Sequence, residues 1–220
     1  MTNLVLVRHG ETEWHQENRY AGVSDVALTP RGLDQATQLA QWAKQAGLAA
    51  IWSSTLTRAK LTAATCGETT NLAVQIDARL CELDFGDGEG LTAGEMNLQF
   101  PDALNAFQRD PVENFLPGGE DPIDAARRFT ECLHDIASQH PDARVLVVAH
   151  TTAIRLALCQ ILGVPLREYR RLFPVVHNCA LTELRISGSQ VSVVEFNTPI
   201  DRHLLDDHAI PKPNSSPKAL

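Results

Sequence analysis

Leu4, Val5, Leu6 and Val7 form an unbroken apolar run that stops on Arg8, His9 and Gly10. The run is too short for a helix and rich in branched side chains, so it predicts a strand covered on both faces. The next segment, LTPRGLDQATQLAQWAKQAG, predicts a helix capped by Thr29, with Pro30 at its first position and Gly47 as its stop. Leu33, Ala36, Ala40 and Ala43 recur on its apolar face. LAAIWSS reads as a second buried strand and TLTRAKLTAATCGE as a helix with Leu56, Ala59, Ala63 and Cys66 on one stripe. AVQID is a third strand, and the Gly-rich DFGDGEGLTAGE after it is a loop.

A Pro-Gly-Gly turn then leads to a long helix, with Asp121 as cap, Pro122 at the first position and Asp124 in the first turn. ARVLVVAH is another fully apolar strand, and TTAIRLALCQILG is a helix that ends near Gly163. CALTELRISGSQVSVVEFN alternates around Gly188 and Ser189 as a hairpin. Strands alternating with helices make an α/β chain with a largely parallel sheet. Residues 1–200 are expected to form a single domain, with an excursion over about residues 84–120, between Cys81 and Asp121, that caps the sheet edge. Residues 201–220, ending in the Pro- and Ser-rich PKPNSSPKAL, are expected to be a partly disordered tail.

Composition narrows the partners. Among the 220 residues, 27 acidic against 19 basic side chains leave a formal charge of -8, which argues against binding to nucleic acid or to an anionic membrane. Any anion site therefore needs a local gathering of positive charge. No apolar run approaches the roughly 18 residues of a transmembrane helix, and the chain enters its first strand without a signal peptide, so a cytoplasmic location is expected. Cys66, Cys81, Cys132, Cys159 and Cys179 are scattered without metal-site spacing and are read mainly as small core residues.

Ligands of parallel sheets bind beyond the carboxyl ends of the strands. Arg8 and His9 end the first strand, Arg58 lies in the first helical turn after the second, and His150 ends the later apolar strand. Four potential cations thus converge on one sheet edge. Guanidinium forks and helix N-termini suit a phosphate, and a neutral imidazole can attack phosphorus to form a phosphoramidate. The leaving alkoxide needs a proton, for which Glu82 in LCELDFGDGEG is the leading candidate, with Asp84, Asp87 and Glu89 as rivals. A phosphate dianion beside such a carboxyl favours its protonated form.

The segments LVLVRHGETEW, IWSSTLTRAKLTA, LCELDFGDGEG, PGGED and VLVVAHTTAIR, in this order, resemble the successive motifs of the histidine phosphatase superfamily, also called the phosphoglycerate mutase-like family. The resemblance extends to about Asn197. It implies a three-layer α/β/α sandwich, His9 as the phosphorylated nucleophile, Arg8, Arg58 and His150 as phosphoryl ligands, Glu82 as proton donor, and no metal or other cofactor. Two positions depart from the pattern. His15 stands where the family often has Asn, and Thr151 where many members have Gly, so both enter the candidate substrate-binding set. His177 and Asn178 resemble the family's segment beside the sheet, while Arg127 and Arg128 read as one solvated and one salt-bridged surface residue.

The resemblance is strongest to the branch containing α-ribazole phosphatases and broad-specificity phosphatases, which implies hydrolysis of a small phosphorylated metabolite. The alternatives are a 2,3-bisphosphoglycerate-dependent phosphoglycerate mutase and a catalytically silent phosphate-binding module. Related mutases carry a longer insertion and a Glu-His-Tyr-Gly type context at the donor, where this chain has CELDFGDG. Neither the substrate nor homo-oligomer formation is specified by the sequence.

Overall fold

The computed structural model describes residues 1–200; the expected tail at 201–220 lies outside them. Strands β1 (Thr2–Arg8), β2 (Ala50–Ser53), β3 (Val74–Ile76), β4 (Arg144–Ala149), β5 (Leu181–Ser187) and β6 (Gln190–Thr198) form one sheet in the order β3-β2-β4-β1-β5-β6. The pairs β3/β2, β2/β4 and β4/β1 are parallel, and the β5–β6 hairpin adds antiparallel strands beyond β1. The helices are α1 (Pro30–Ala43), α2 (Thr57–Thr70), α3 (Ala93–Gln99), α4 (Pro101–Arg109), α5 (Pro122–Gln139), α6 (Thr151–Leu162) and α7 (Tyr169–Leu172).

Strand alternation explains the layers. On β1, Leu4 and Leu6 pack with Phe129, Leu133 and Ile136 of α5 and Ile154 and Leu158 of α6. Val5 and Val7 point the opposite way, into Leu39 and Ala40 of α1 and Ala59 and Ala63 of α2. The sheet is therefore the middle of three layers. Each of the fully buried Leu, Ile, Val and Phe side chains among them stabilises the fold by about 1.5–3 kcal/mol.

The predicted start of α1 is present, with the Thr29 hydroxyl accepting the Gly32 N–H at 3.0 Å. Leu33, expected on its apolar face, is instead 49% exposed. Gly32 is what turns inward, because a Cβ there would stand 2.1 Å from the Glu11 carbonyl oxygen. The resulting stripe is Gly32, Ala36, Leu39, Ala40 and Ala43. The segment expected to be all loop also holds structure: a helical turn at Gly86–Gly88, then α3, whose capping box joins Thr92 and Glu95.

The excursion over about residues 84–120 packs elsewhere than on a sheet edge. Phe85, Met96, Leu104, Phe107 and Leu116 form a third cluster with Ala125 and Ala126 of α5 and Leu156 and Cys159 of α6, and no strand residue enters it. It packs on the first turns of α5 and the middle of α6. Cys66, Cys132, Cys159 and Cys179 are buried, as expected, while Cys81 is half-buried.

Candidate active site

Parallel pairing in register puts Arg8 opposite Ala149, and the ladder continues one step further with the His9 N–H donating to the Ala149 carbonyl at 3.1 Å. His9 and His150 thus leave adjacent strands side by side, their ring centroids 5.0 Å apart. Asn178 braces this exit from the other side, its amide donating to the His9 carbonyl at 2.7 Å and the next N–H, of Cys179, to the Arg8 carbonyl at 2.8 Å.

His9 is 5% exposed and locked at both nitrogens. Its Nδ1 lies 2.7 Å from the Gly10 carbonyl oxygen, an acceptor only, so Nδ1 carries the hydrogen. The Nε2 lone pair accepts from Nε of Arg58 at 3.2 Å. Burial, then the charges of His150, Arg58 and Arg8, push the imidazole well below its ordinary range, so the ring is neutral at physiological pH.

Arg58 is fully buried at the start of α2, with no carboxylate partner among the described residues. Its Nη atoms donate to the carbonyls of Ser24, Ala21 and Gly22, the shortest at 2.5 Å. His150, also fully buried, faces the Ser54 hydroxyl through Nε2 at 2.7 Å, and among the described residues its Nδ1 has no partner. Burial lowers both groups, and the neighbouring Arg58 and Arg8 charges lower His150 further.

A cavity of about 370 Å³ opens in front of His9. Of the residues singled out in the sequence, Arg8, His9, His15, Glu82 and Thr151 line it, whereas Arg58 and His150 touch His9 without lining it. Arg8 donates to the Val176 carbonyl at 2.9 Å, contacts Nε2 of His15, and keeps a buried Nε without a partner. Burial draws its guanidinium down to about 10 against the opposing pull of Glu82. Four of the five buried side-chain polar atoms without partners among the described residues belong to Arg8, His150, Thr151 and Arg155, all at this centre. Buried polar atoms are ordinarily satisfied, so this concentration marks a place for a polar ligand.

Glu82, 3% exposed, sits across the start of α6. Its Oε1 accepts the N–H groups of Leu83 and Ala153 at 2.9 and 2.8 Å, and Oε2 accepts that of Thr152 at 2.9 Å. Oε2, with one such bond against two at Oε1, keeps the more open lone pair. The rivals are occupied or remote: Asp84 caps Gly86, Asp87 is exposed, and Glu89 holds Val23, Ser24 and Phe85.

Arg128 corrects the sequence expectation. It donates to the carbonyls of Arg79, Cys81 and Glu82 at 2.7–3.0 Å and forks onto Glu120, so it fixes the segment carrying Glu82 rather than decorating the surface. Burial opposes its charge, but the Glu120 contacts outweigh that and raise it. Arg127 does pair on the surface, with Asp124. Asn178 and His177 do not line the cavity, and the His177 N–H is held by Asn197 Oδ1 at 2.8 Å. Sequence reasoning passed over Arg155, Tyr169 and Arg170, which do line it; the helical spacing from Thr151 to Arg155 was the available signal.

Residues 4–199 match the family model of the histidine phosphatase superfamily (branch 1), and the chain belongs to that superfamily. It is similar to phosphoserine phosphatase 1 of Hydrogenobacter thermophilus, 35% identical over 77% of this chain and 80% of that protein. The probable phosphoglycerate mutase GpmB of Proteus mirabilis is 33% identical over 86% of this chain and 87% of its own length. The solved structure of Bacillus stearothermophilus YhfR superposes with a TM-score of 0.86 at 30% identity, covering 91% of this chain and all of that one. Among the described residues, no helix is long and apolar enough to cross a membrane.

Proposed function

We propose that this chain is a phosphatase for small phosphomonoesters that works through a phosphohistidine on His9. The observation that carries the reading is the Nδ1 contact with the Gly10 carbonyl, which places the lone pair of a neutral ring on Nε2; the Arg58 Nε–H that holds it at rest turns to a phosphoryl oxygen as Nε2 attacks. Nε2 attacks phosphorus, the ester P–O bond breaks, and a proton held on Glu82 Oε2 passes to the leaving alkoxide. Water then attacks phosphorus, Glu82 takes its proton, and the P–N bond breaks to release phosphate. Arg8 meets the incoming phosphoryl group from the cavity wall. Arg58, hydrogen-bonded to His9 Nε2, and His150, whose ring centroid lies 5.0 Å from that of His9, stabilise the charge that builds on phosphorus as it closes on Nε2.

Hydrolysis is favoured over mutase transfer by the capping excursion. A mutase must shield its phosphoenzyme from water. Between Asp84 and Glu120, Arg109 is the single Lys or Arg, and it does not line the cavity, so the excursion brings no cationic cover over a phosphorylated His9. The likeness to phosphoserine phosphatase 1 supports the same reading, while the likeness to GpmB keeps transfer in the test.

Rapid quench during turnover, with the product divided between acid and alkali, is expected to show an acid-labile, alkali-stable phosphoenzyme. His9→Ala is expected to fold and to release no phosphate above background. A phosphoester stable in acid, or rapid interconversion of 2- and 3-phosphoglycerate with negligible phosphate release, would overturn the assignment.

A further inference from the structure

Two arginines on the cavity wall have no part in that scheme. Arg155 lies one turn after Thr151 on α6, about 6 Å along the helix axis, and Arg170 lies on α7. Side chains of a helix lean toward its N-terminus, so Arg155 leans toward the reacting end of α6.

Their partners are unusual for this chain. Arg155 donates from one Nη to the Pro174 carbonyl at 2.7 Å, and its Nε is buried without a partner. Arg170 donates from Nε to the Tyr169 hydroxyl at 2.9 Å and lies over the Phe107 ring, 4.4 Å from its centroid. Among the described residues neither forms an ion pair, although the chain carries eight more acidic than basic charges. Arg19, on the same wall, is by contrast held by Glu17 and Glu95. Burial, and the charge of Arg170 after it, hold Arg155 below its usual value. Arg8 adds a third cation close by. The one carboxylate among the lining residues, Glu82, is committed to the start of α6.

A phosphoryl group answers Arg8 and the groups around His9, leaving Arg155 and Arg170 unanswered. We propose that Arg155 and Arg170 form a second anion subsite, which binds a carboxylate carried by the alcohol portion of the phosphomonoester. The inference rests on the phosphatase reading and names its substrate class. A carboxylate fits better than a second phosphoryl dianion: each guanidinium already spends a donor on the protein, and the planar edges that remain match two carboxylate oxygens. A cavity of about 370 Å³ suits both charges on one small molecule.

The test uses two pairs of esters that differ only in the carboxylate: O-phosphoserine against O-phosphoethanolamine, and 3-phosphoglycerate against glycerol 3-phosphate. 4-Nitrophenyl phosphate, which carries no carboxylate, serves as the reference. The wild-type chain is expected to prefer the carboxylated member by roughly tenfold or more in kcat/KM. Arg155→Gln and Arg170→Gln are each expected to erase most of that preference through KM, with kcat/KM for the partner lacking the carboxylate held within about threefold. That retained turnover also reports folding of the variants. Hydrolysis of 4-nitrophenyl phosphate without preference within either pair would overturn the subsite alone, as would variants that lose both members equally. A preference for bisphosphorylated over carboxylated esters would overturn the choice of anion. No hydrolysis of any ester would overturn the phosphatase reading and the subsite with it.

Discussion

Acidification is expected to loosen this protein through His15, and the size of the effect follows from its surroundings. N–H donors approach both ring nitrogens: the Arg8 guanidinium and the Asn178 amide at Nε2, and the Thr12 backbone at Nδ1. The Thr12 hydroxyl, 2.7 Å from Nδ1, can accept a hydrogen there, so the lone pair of the neutral ring sits on Nε2, and a second proton on Nε2 would face the Arg8 guanidinium and the Asn178 amide. Burial first, then the Arg8 charge, hold His15 down to about 3, against roughly 6.5 in an unfolded chain. Between those values the unfolded chain binds one proton more, so stability is complete above about pH 6.5 and falls as the pH drops toward 3. The slope from this one group is about 1.4 kcal/mol per pH unit, and the whole interval bounds the loss at roughly 5 kcal/mol. Because His15 is only partly buried, turning the ring to water reduces the realised loss to about half of that. The assay is urea unfolding of wild type and His15→Asn at about pH 4.5, 5.5, 6.5 and 7.5. Asn keeps an oxygen acceptor for Arg8 and removes the proton site. His9 and His150 titrate in both proteins and cancel in the difference. The variant is expected to gain on the wild type as the pH falls below about 6. A stability difference independent of pH would refute the reasoning.

Glu82→Gln places an amide among three N–H donors, so unfolding free energy is expected to drop by about 1–3 kcal/mol. Turnover of alkyl phosphates is expected to fall far more than that of aryl phosphates, and equal losses would move the proton to another group. Arg128→Met leaves Glu120 and three carbonyls without their donor; about 2–4 kcal/mol of stability and much of kcat are expected to go, and an unchanged kcat would deny it a positioning role. Gly86→Ala forces a Cβ to within 2.2 Å of the Pro117 carbonyl oxygen at a φ of +53°, so melting is expected several degrees lower, and a wild-type melting curve would refute the strain argument.

The strand exits were legible because the chain states them twice: an apolar run ends, and the next residues are cations or imidazoles. Arg8, His9 and His150 needed no tertiary knowledge beyond parallel pairing. Leu33 misled because helix periodicity fixes a face only to within a residue, and a backbone contact at Gly32 decided it. The helix inside the Gly-rich segment did announce itself, since Thr92 and Glu95 have the spacing of a capping box; the surrounding glycines masked it. Arg128 and Asn178 could not be read locally. Their acceptors are carbonyls of segments far along the chain, 46 to 49 residues away for Arg128 and 169 for Asn178, and carbonyls carry no sequence signature.

The pairing of β1 with β4 has an evolutionary consequence. The two imidazoles are spaced by a backbone ladder whose rungs belong to every residue type, so their separation does not depend on the side chains of the loops above. The cap, built from its own apolar cluster on α5 and α6, shares no residue with that ladder. Substitutions in the apolar cluster of the cap can therefore reshape what enters the cavity without changing the spacing of His9 and His150.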